Sequence, residues 1–226
     1  MNETSAPACV GIIMDGNRRW AKAKGMPSLE GHRAGSKVLK EIVTAARQAK
    51  VEHLVLYAFS TENWNRKPEE VSYLMDLFSE TIKKEIRELG EKGVRTRFAG
   101  QRERFSPTLQ QTMIEAEQET AHNDALSLWI CLSYGGRAEI VAAAREAAKD
   151  SEITEESLAQ HLWTAGMPDP DLIIRTGGEK RLSNFLLWQS AYSELFFIDT
   201  FWPDFSKEEF DAILAEYAQR ERRRGK

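Results

Sequence analysis

The sequence has few of the residues that build disulfide frameworks or zinc sites. Its two cysteines, Cys9 and Cys131, lie in apolar runs without CxxC spacing, and its four histidines are scattered along the chain. This pattern argues against both kinds of site. Long hydrophobic runs are also missing, since none approaches the roughly 20 residues that a membrane-spanning helix needs. The first residues, MNETSAPA, lack the basic start and apolar core of a signal peptide, so we expect a cytoplasmic protein.

An excess of positive charge is absent as well. The 31 lysines and arginines are outnumbered by 35 aspartates and glutamates, and the formal net charge is -4. A general nucleic-acid surface is therefore not expected, although there are enough basic residues for a local pocket. A length of 226 residues, with 42% hydrophobic and 29% charged residues, is ordinary for a globular protein. We predict a single domain over residues 1–226.

Short β-rich runs alternate with longer amphipathic segments along the chain. This alternation predicts an α/β fold in which a central, mostly parallel six-stranded sheet is flanked by helices. The predicted strands are 9–14, 53–60, 94–100, 126–133, 171–176 and 194–199, and the predicted helices are 32–49, 68–90, 106–122, 136–149, 154–163 and 206–223. Ser106 before Pro107 is typical of a helix start, with a capping hydroxyl followed by proline at the first helical position.

Residues suited to anions follow four of the predicted strands. Asp15 follows the first strand, STENWNR the second, YGGR the fourth and RTGGEKRLSN the fifth. Ligands of open α/β sheets bind beyond the carboxyl ends of the strands, so these segments should share one phosphate-binding cleft. The glycines in these loops would let backbone N–H groups approach an anion closely. The charged residues expected in the cleft are Asp15, Arg18, Arg19, Arg66, Arg137, Arg175 and Arg181.

Each of these residues also has a purely structural interpretation. Asp15 in DGN can stabilise a turn, and His32 in EGHRAG can make one hydrogen bond at a helix start. Trp64 and Phe59 can belong to the core, where Cys131 is also expected. The basic tail, RERRRGK, suits the end of a solvated helix. The functional interpretation depends on the whole set, because several anion-suited loops fall at successive strand ends.

Six sequence blocks carry a resemblance that covers nearly the whole chain. They are IIMDGNRRWA, GHRAG, YAFSTENWNR, YGGR, DLIIRTGGEKRLSNFLLWQSAYSEL and WPDF. In order and spacing they resemble the cis-prenyltransferase family, most closely its bacterial undecaprenyl diphosphate synthase type. The resemblance implies a homodimer that uses Mg²⁺ to condense isopentenyl diphosphate with an allylic diphosphate, normally farnesyl diphosphate. It also implies an apolar tunnel for the growing chain.

The product implied by the resemblance is a Z-polyprenyl diphosphate, namely undecaprenyl diphosphate, the precursor of a lipid carrier for cell-wall synthesis. Its delivery would bring the protein to the inner face of the membrane.

The resemblance also implies roles for individual residues. Asp15 and Asn63 match catalytic positions, and Asp15 and Glu194 match magnesium ligands. The allylic-diphosphate positions are Gly16, Asn17, Arg18, Arg19, Trp20, His32, Ser60, Glu62, Trp64 and Arg66. The isopentenyl-diphosphate positions are Arg175, Arg181, Ser183, Arg223 and Gly225. The tunnel positions are Ala58, Glu70, Leu74, Phe78 and Leu126. A carboxylate repels phosphate, so the natural role of Asp15 is to hold Mg²⁺ against phosphate oxygens.

The chain departs from the family pattern at three positions. Ser28 replaces the arginine that usually precedes the Gly-His pair, and Arg18 replaces a usual glycine. Arg18 is therefore a candidate for the diphosphate contact that Ser28 lacks. Ser133 replaces an asparagine before YGGR. The stretch between the YGGR helix and RTGG is also shorter than usual. These changes bear on substrate affinity and product length more than on the reaction.

Other classes of protein fit less well. A trans-prenyltransferase needs paired DDxxD motifs, and this chain contains no Asp-Asp pair. A non-catalytic partner subunit of the same family typically lacks the matches to Asp15 and RTGGExRxSN, and both are present. A phosphohydrolase with Asp15 as nucleophile would want a second carboxylate two residues on, where this chain has Asn17. A shorter-chain cis-prenyltransferase is not distinguished by these features.

Overall fold

The computed structural model describes residues 6–150 and 152–220, and a six-stranded sheet lies at their centre. The strands are β1 (Cys9–Ile13), β2 (His53–Ser60), β3 (Val94–Ala99), β4 (Leu126–Tyr134), β5 (Leu172–Arg175) and β6 (Glu194–Phe197). Their order is β3-β4-β2-β1-β5-β6, and every neighbouring pair is parallel. All six predicted strands are confirmed, and the sheet is entirely rather than mostly parallel.

Helices and short turns connect the strands. The α-helices are α1 (Asn17–Ala23), α2 (Ser28–Gln48), α3 (Pro68–Thr81), α4 (Arg87–Glu91), α5 (Pro107–Glu119), α6 (Gly136–Asp150), α7 (Glu155–His161) and α8 (Lys207–Gln219). Three-residue or five-residue 3-10 turns cover Thr61–Asn65, Arg102–Arg104 and Trp202–Asp204. The predicted cap of α5 is confirmed, since the Ser106 hydroxyl accepts a hydrogen bond from the Leu109 N–H at 3.3 Å.

The structure differs from the sequence prediction mainly at helix ends. Helix α1 is missing from the prediction because seven residues are too few to show an apolar period. Helix α2 begins at Ser28 instead of residue 32. The predicted helix 68–90 contains a π-helical turn, Ile82–Ile86, between α3 and α4. The last predicted helix extended to residue 223, and its final residues lie outside the described part of the chain.

The register of β1 determines where the site forms. This strand lies between β2 and β5, with Ile13 opposite both Tyr57 and Arg175. Because the chain places successive strands first on one side of β1 and later on the other, the crevice beyond its carboxyl end is a switch point where α/β proteins bind ligands. Asp15 lies two residues beyond β1 and therefore faces the loops that follow β2 and β5.

Apolar layers cover both faces of the sheet because successive strand residues point to opposite faces. On β2, Leu54 and Leu56 belong to the larger layer. Val55 and Tyr57 belong to the smaller layer, together with the fully buried Cys131. The core expectation for Cys131 is confirmed. Parallel strands that are buried on both faces leave their ends, and the loops after them, as the places where polar groups can collect.

Candidate active site

Asp15 lies between two arginines beyond the end of β1. Its Oδ2 is 2.9 Å from Arg175 Nη2 and 3.2 Å from Arg19 Nη2. Thr176 fixes the backbone at this point, because its Oγ1 accepts from the Asp15 N–H at 2.9 Å and donates to the Asp15 carbonyl at 2.7 Å. Groups from α1 and from the end of β5 therefore hold the carboxylate in place.

Arg175 is a buried cation, with 5% of its side chain exposed. Its Nη1 donates to Ser183 Oγ at 2.7 Å and also to the carbonyl of Arg181. Its Nε is buried and has no hydrogen-bond partner among the described residues. Asp15 is its ion-pair partner. Because a buried guanidinium needs anionic or hydrogen-bonding partners, this side chain favours an additional anion at the mouth of the site.

The loop after β5 passes unusually close to the other side of the site. Gly177 has a φ of 85°, and a side chain at this position would place its first carbon 2.8 Å from Arg19 Nη2 and 3.2 Å from the Asp15 carbonyl oxygen. Both the left-handed backbone and the close approach require glycine. The RTGG block therefore serves to bring the β5 loop against Asp15 and Arg19.

Asn184 links three loops that the sequence predicts to share one cleft. Its side chain donates to Glu62 at 2.8 Å and accepts from the Arg137 N–H at 2.9 Å. Its carbonyl accepts from the Gly136 N–H at 2.7 Å. The φ of Asn184 is 68°, a conformation that asparagine adopts more readily than most residues. The loops after β2, β4 and β5 are joined as predicted, but the side chain of Arg137 does not line the cavity described below.

Arg66, Arg18 and His32 form a second group of basic side chains around Glu70. Glu70 Oε1 accepts from Arg66 Nη1 at 3.0 Å and lies 3.9 Å from His32 Nε2. Glu70 Oε2 lies 3.9 Å from Arg18 Nη1. These residues come from α1, α2, α3 and the segment after β2. The fold thus gathers three basic side chains from separate segments around one carboxylate.

His32 is held in its neutral form by its surroundings. Burial, followed by the charges of Arg66 and Arg18, lowers its pKa from 6.5 to about 4. Its Nε2 is buried without a hydrogen-bond partner among the described residues. Gly31 makes this position possible, because the first carbon of a side chain there would lie 1.9 Å from the Asn17 carbonyl oxygen. Helix α2 therefore packs directly on the start of α1 and brings His32 into the site.

The segment after β2 is fixed by the 3-10 turn Thr61–Asn65. The Ser60 N–H donates to Asn63 Oδ1 at 3.2 Å, which closes a capping box. The Trp64 Nε1–H donates to Ser133 Oγ at 2.9 Å. Ser133 has a φ of 51°, and asparagine, which the sequence resemblance implies at this position, tolerates this conformation better than serine. The ring of Trp64 packs against core aromatic side chains, so the core interpretation applies to it.

A cavity of about 920 Å³ begins at these basic groups and continues between apolar side chains. Its charged lining residues include Asp15, Arg18, Arg19, Arg66 and Arg175, and the neutral His32 lies among them. Its apolar lining residues include Leu39, Leu74, Phe78, Ile86, Ile130 and Leu132. The volume lies near the upper end of the ~300–1,000 Å³ that is usual for small-molecule sites. The lining suits a ligand with an anionic head and a long apolar tail.

Three of the five predicted tunnel residues line the cavity, and two do not. Those that line the cavity are Ala58, Leu74 and Phe78. Glu70 lies behind the mouth of the cavity and does not line it. Leu126, the first residue of β4, is buried in the core and does not line it either. Ile130 and Leu132, which point to the same face of β4, do line the cavity. At 3.3 Å per residue, Leu126 lies about 13 Å further from the mouth of the cavity than Ile130 does.

Most predicted diphosphate-binding residues meet at the cavity. Those that line it are Gly16, Asn17, Arg18, Arg19, His32, Ser60, Arg66, Arg175, Arg181 and Ser183, and Asp15 and Asn63, the predicted catalytic residues, line it too. Trp20, Glu62 and Trp64 lie outside the lining, and the Trp20 ring lies 4.1 Å from the Lys24 ammonium. Arg223 and Gly225 fall outside the described residues.

Sequence reasoning missed several wall residues of the cavity. Leu77 belongs to the same apolar helix as Leu74, and Ile130 and Leu132 alternate along β4. The period of two residues along β4 is a signal that could have identified the last two as sharing one face. It could not have shown that this face borders a cavity, because a packed core produces the same alternation.

Glu194, the second predicted magnesium ligand, lies at the opposite edge of the sheet from Asp15. It opens β6 beside Leu172, the first residue of β5, whereas Arg175, which contacts Asp15, ends β5. Glu194 Oε2 instead accepts from Arg220 Nη1 at 2.8 Å. Asp15 and Glu194 therefore form no common site within one chain. In the described ranges, no group of three or more His, Cys, Asp or Glu side chains is placed to hold a metal ion.

The parallel sheet, the basic groups beyond its carboxyl edge and the apolar cavity together define an α/β protein built for an amphipathic phosphate ester. The sequence model of a prenyltransferase family, described as "Putative undecaprenyl diphosphate synthase", matches residues 13–225. The chain belongs to this family, which confirms the resemblance in its sequence blocks. Over residues 6–150 and 152–220, no helix has the length and hydropathy to cross a membrane.

Relatives and solved structures support the same placement. A protein from Legionella pneumophila (strain Paris), named ditrans,polycis-undecaprenyl-diphosphate synthase ((2E,6E)-farnesyl-diphosphate specific), is 46% identical over 227 residues, which cover 97% of this chain and 95% of the relative. A protein from Thermobifida fusca, named trans,polycis-polyprenyl diphosphate synthase ((2Z,6E)-farnesyl diphosphate specific), is 46% identical over 227 residues, 97% of this chain and 80% of its own. Lavandulyl diphosphate synthase from Lavandula x intermedia, crystallised with dimethylallyl diphosphate, has a TM-score of 0.93 at 35% identity and 98% coverage of both chains.

Proposed function

We propose that this protein condenses isopentenyl diphosphate with an allylic diphosphate to give a Z-polyprenyl diphosphate. The supporting observation is the cavity, because one continuous space joins a cluster of arginines to an apolar interior. Arginine binds phosphate bidentately through its planar guanidinium. An apolar wall removes an isoprenoid chain from water, which stabilises the bound lipid. Family membership points to the same reaction.

The allylic diphosphate would bind where α1 begins. Gly16, Asn17, Arg19 and His32 line the cavity there, and the Gly16 N–H donates to Asp15 Oδ1 at 2.6 Å. As the allylic carbon–oxygen bond breaks, negative charge concentrates on the leaving diphosphate, and donors that are already fixed in place stabilise it. Arrival of a dianion would also favour the protonated form of His32, whose pKa in the free protein is about 4.

The isopentenyl diphosphate would bind at Arg175, Arg181 and Ser183. The Arg175 guanidinium and the Ser183 hydroxyl are already linked at 2.7 Å, which leaves them oriented toward one place. The double bond of this substrate supplies the electron pair for the new carbon–carbon bond, and the condensed product then loses a proton. Diphosphate leaves from the allylic substrate. Each condensation joins one isopentenyl unit to the chain and therefore lengthens it by one isoprene unit.

We further propose that Mg²⁺ binds at Asp15. Among the described residues that line the cavity, Asp15 is the one acid. Magnesium is usually held by one or two protein carboxylates together with substrate phosphates, and this site offers that combination. When bound, the ion would neutralise charge on the leaving diphosphate. Arg19 and Arg175 keep the carboxylate oriented toward the mouth of the cavity.

Undecaprenyl diphosphate is the product that we propose, with farnesyl diphosphate as the starter. The family description and the name of the Legionella relative support this choice. Apolar lining that continues as far as Ile86 and Ile130 supports a long chain. The Thermobifida relative is named for the (2Z,6E) isomer of the starter, so both isomers should be offered in the assay.

A homodimer at the cytoplasmic face of the membrane is the assembly that we propose. Val141, Tyr192 and Leu195 are large apolar side chains that are exposed in the single chain. Exposed apolar side chains of this size often mark an interface. Light scattering after size-exclusion chromatography would measure the mass, and a monomer at micromolar concentration would overturn the dimer.

The reaction can be tested in one incubation. The purified protein receives farnesyl diphosphate, labelled isopentenyl diphosphate and Mg²⁺, and the label is followed into a butanol extract. We expect labelled lipid that migrates with undecaprenyl standards on reversed-phase chromatography. Products of only a few condensations would indicate a shorter-chain enzyme instead. Release of phosphate without labelled lipid would indicate a phosphohydrolase acting through Asp15.

A further inference from the structure

Glu70 lies directly behind the cationic mouth of the cavity. Arg66, Arg18 and His32 surround its carboxylate and line the cavity, whereas Glu70 does not line it. The distances from the Glu70 carboxylate to these groups are 3.0 Å for Arg66 Nη1, 3.9 Å for Arg18 Nη1 and 3.9 Å for His32 Nε2. The Glu70 side chain is 13% exposed. A diphosphate bound in the cavity would therefore meet these three side chains, which Glu70 contacts without lining the cavity itself.

The carboxylate of Glu70 offsets positive charge that would otherwise be poorly balanced. Arg66 has its pKa lowered mainly by burial and further by the nearby charge of Arg18. Glu70 acts on Arg66 in the opposite direction, both through its charge and through a hydrogen bond. In the free protein, Glu70 thus allows the guanidinium groups of Arg66 and Arg18 to lie near each other.

We propose that Glu70 is a resident counter-ion that competes with the bound diphosphate for Arg66, Arg18 and His32. The proposal depends on the proposed function, since it assumes that a diphosphate binds at these side chains. Glu70 stabilises the empty site because it neutralises the cations there. It also weakens the complex because its negative charge repels the diphosphate. An enzyme that releases one diphosphate at every condensation benefits from such a limit on affinity.

Glu70 differs in this respect from Asp15, the other carboxylate that contacts arginines at the site. Asp15 lines the cavity, so a metal ion can lie between it and the phosphate oxygens. Glu70 does not line the cavity, and its carboxylate already contacts Arg66, Arg18 and His32, so we assign it no metal ion. The negative charge of Glu70 therefore repels the bound diphosphate, and no metal ion offsets this repulsion.

The substitution Glu70→Gln tests this directly, because the amide oxygen can still accept from Arg66 while the charge is removed. Calorimetric titration with inorganic pyrophosphate, in magnesium-free buffer at fixed ionic strength, measures the affinity. Removing one like charge a few ångströms from an anion should tighten binding about threefold or more. The free variant should melt at a lower temperature than wild type, and pyrophosphate should restore more of its stability than it adds to wild type.

Two further variants serve as controls. Glu69→Gln removes a charge from the same first turn of α3 at an exposed position, and it should bind pyrophosphate as wild type does. Glu70→Asp keeps the charge and should stay within about twofold of wild type. The affinity of Glu70→Gln should also fall more steeply with added salt, because its site carries more unbalanced positive charge.

The outcomes separate the inference from the function on which it depends. Weaker binding by Glu70→Gln, or binding equal to that of Glu69→Gln, would overturn the counter-ion role of Glu70. The proposed diphosphate site would remain intact. Weaker binding together with lower stability would show that Glu70 has a purely structural role. A folded wild-type protein that binds no pyrophosphate, either without Mg²⁺ or after Mg²⁺ is added, would overturn both the inference and the proposed diphosphate site.

Discussion

Asp15 Oδ2 lies 2.9 Å from Arg175 Nη2, although 160 positions separate the two residues in the sequence. The pair forms because β1 and β5 are parallel neighbours with Ile13 opposite Arg175, so the residues just beyond Ile13 meet the end of β5. The result is a carboxylate held in a fixed orientation among basic side chains. This relationship decides what a change at Asp15 should do.

Asp15→Ala should lower turnover by orders of magnitude while pyrophosphate binding persists. The lost carboxylate matters most when charge develops on the leaving group, which affects turnover more than ground-state binding. Steady-state kinetics at saturating Mg²⁺ and pyrophosphate calorimetry measure the two effects separately. Asp204→Ala is a suitable control, because Asp204 pairs with Lys24 at 3.6 Å on the surface. Turnover within a few-fold of wild type would show that Asp15 is not catalytic.

Arg181→Ala should weaken the binding of isopentenyl diphosphate more than that of the allylic substrate. The loss of one charged hydrogen bond costs roughly 1.5–3 kcal/mol. Arg181 is a better test than Arg175, because Arg175 also holds Asp15. Michaelis constants for each substrate provide the measurement, with the exposed Lys180→Ala as the control. An equal loss for both substrates would contradict a division into two pockets.

Folding stability should fall as the pH is lowered from about 6.5 to about 4, because of His32. In the unfolded chain an imidazole gains its proton near 6.5, whereas burial lowers the pKa of His32 in the folded protein to about 4. The unfolded state therefore binds more protons in this range, and a contribution of at most about 3 kcal/mol at pH 7 is lost as the pH falls. Urea unfolding at several pH values measures it. His32→Gln should give a flatter profile, and the exposed His122→Gln should keep the wild-type profile.

Ala58→Leu should shorten the products while the first condensation stays near the wild-type rate. Ala58 lines the cavity, and a larger side chain would fill space that the growing chain needs. Chromatography of the extracted lipids and single-turnover kinetics test the two parts. Ala165→Leu adds the same side chain at an exposed position and should change neither. Full-length products, or a slow first condensation, would place Ala58 outside the wall that accommodates the chain.

Leu126→Ala and Ile130→Ala should separate core packing from product length on one strand. Both side chains are buried, at 1% and 5% exposure, so each truncation should cost about 2–5 kcal/mol of folding stability. Only Ile130 lines the cavity, so only Ile130→Ala should shift the products toward longer chains. Denaturant melts and product chromatography test both statements. Longer products from Leu126→Ala would show that the chain reaches beyond the cavity.

The sheet could be predicted from the sequence because its strands are short, apolar and separated by helical segments. The placement of Asp15 and Arg175 in one cleft also followed from the pattern, since both residues come at the carboxyl ends of strands, whereas their direct contact was not predicted. Helix α1 could not be found in this way, because seven residues show no clear period. The π-helical turn at Ile82–Ile86 likewise leaves the apolar spacing of the segment nearly unchanged.

The site was harder to predict where it depends on the position of a residue along its strand or on contacts between residues that are far apart in the sequence. Glu194 opens its strand instead of following it, which places it at the amino edge of the sheet, and this position was already visible in the strand assignment. The surroundings of Glu70 could not be deduced, because Arg18, His32 and Arg66 reach it from separate elements. No local pattern encodes such a through-space arrangement.

The central position of β1 has a consequence during synthesis. This strand is made first and gains β2 as a neighbour early, but its other neighbour, β5, begins only at Leu172. Until then one edge of a fully apolar strand has unpaired N–H and C=O groups, which favour association with other chains. Contacts across so long a stretch of chain also form slowly. A growing polypeptide is therefore most prone to aggregate before β5 has left the ribosome, and the pairing that protects it is the same one that joins Asp15 to Arg175.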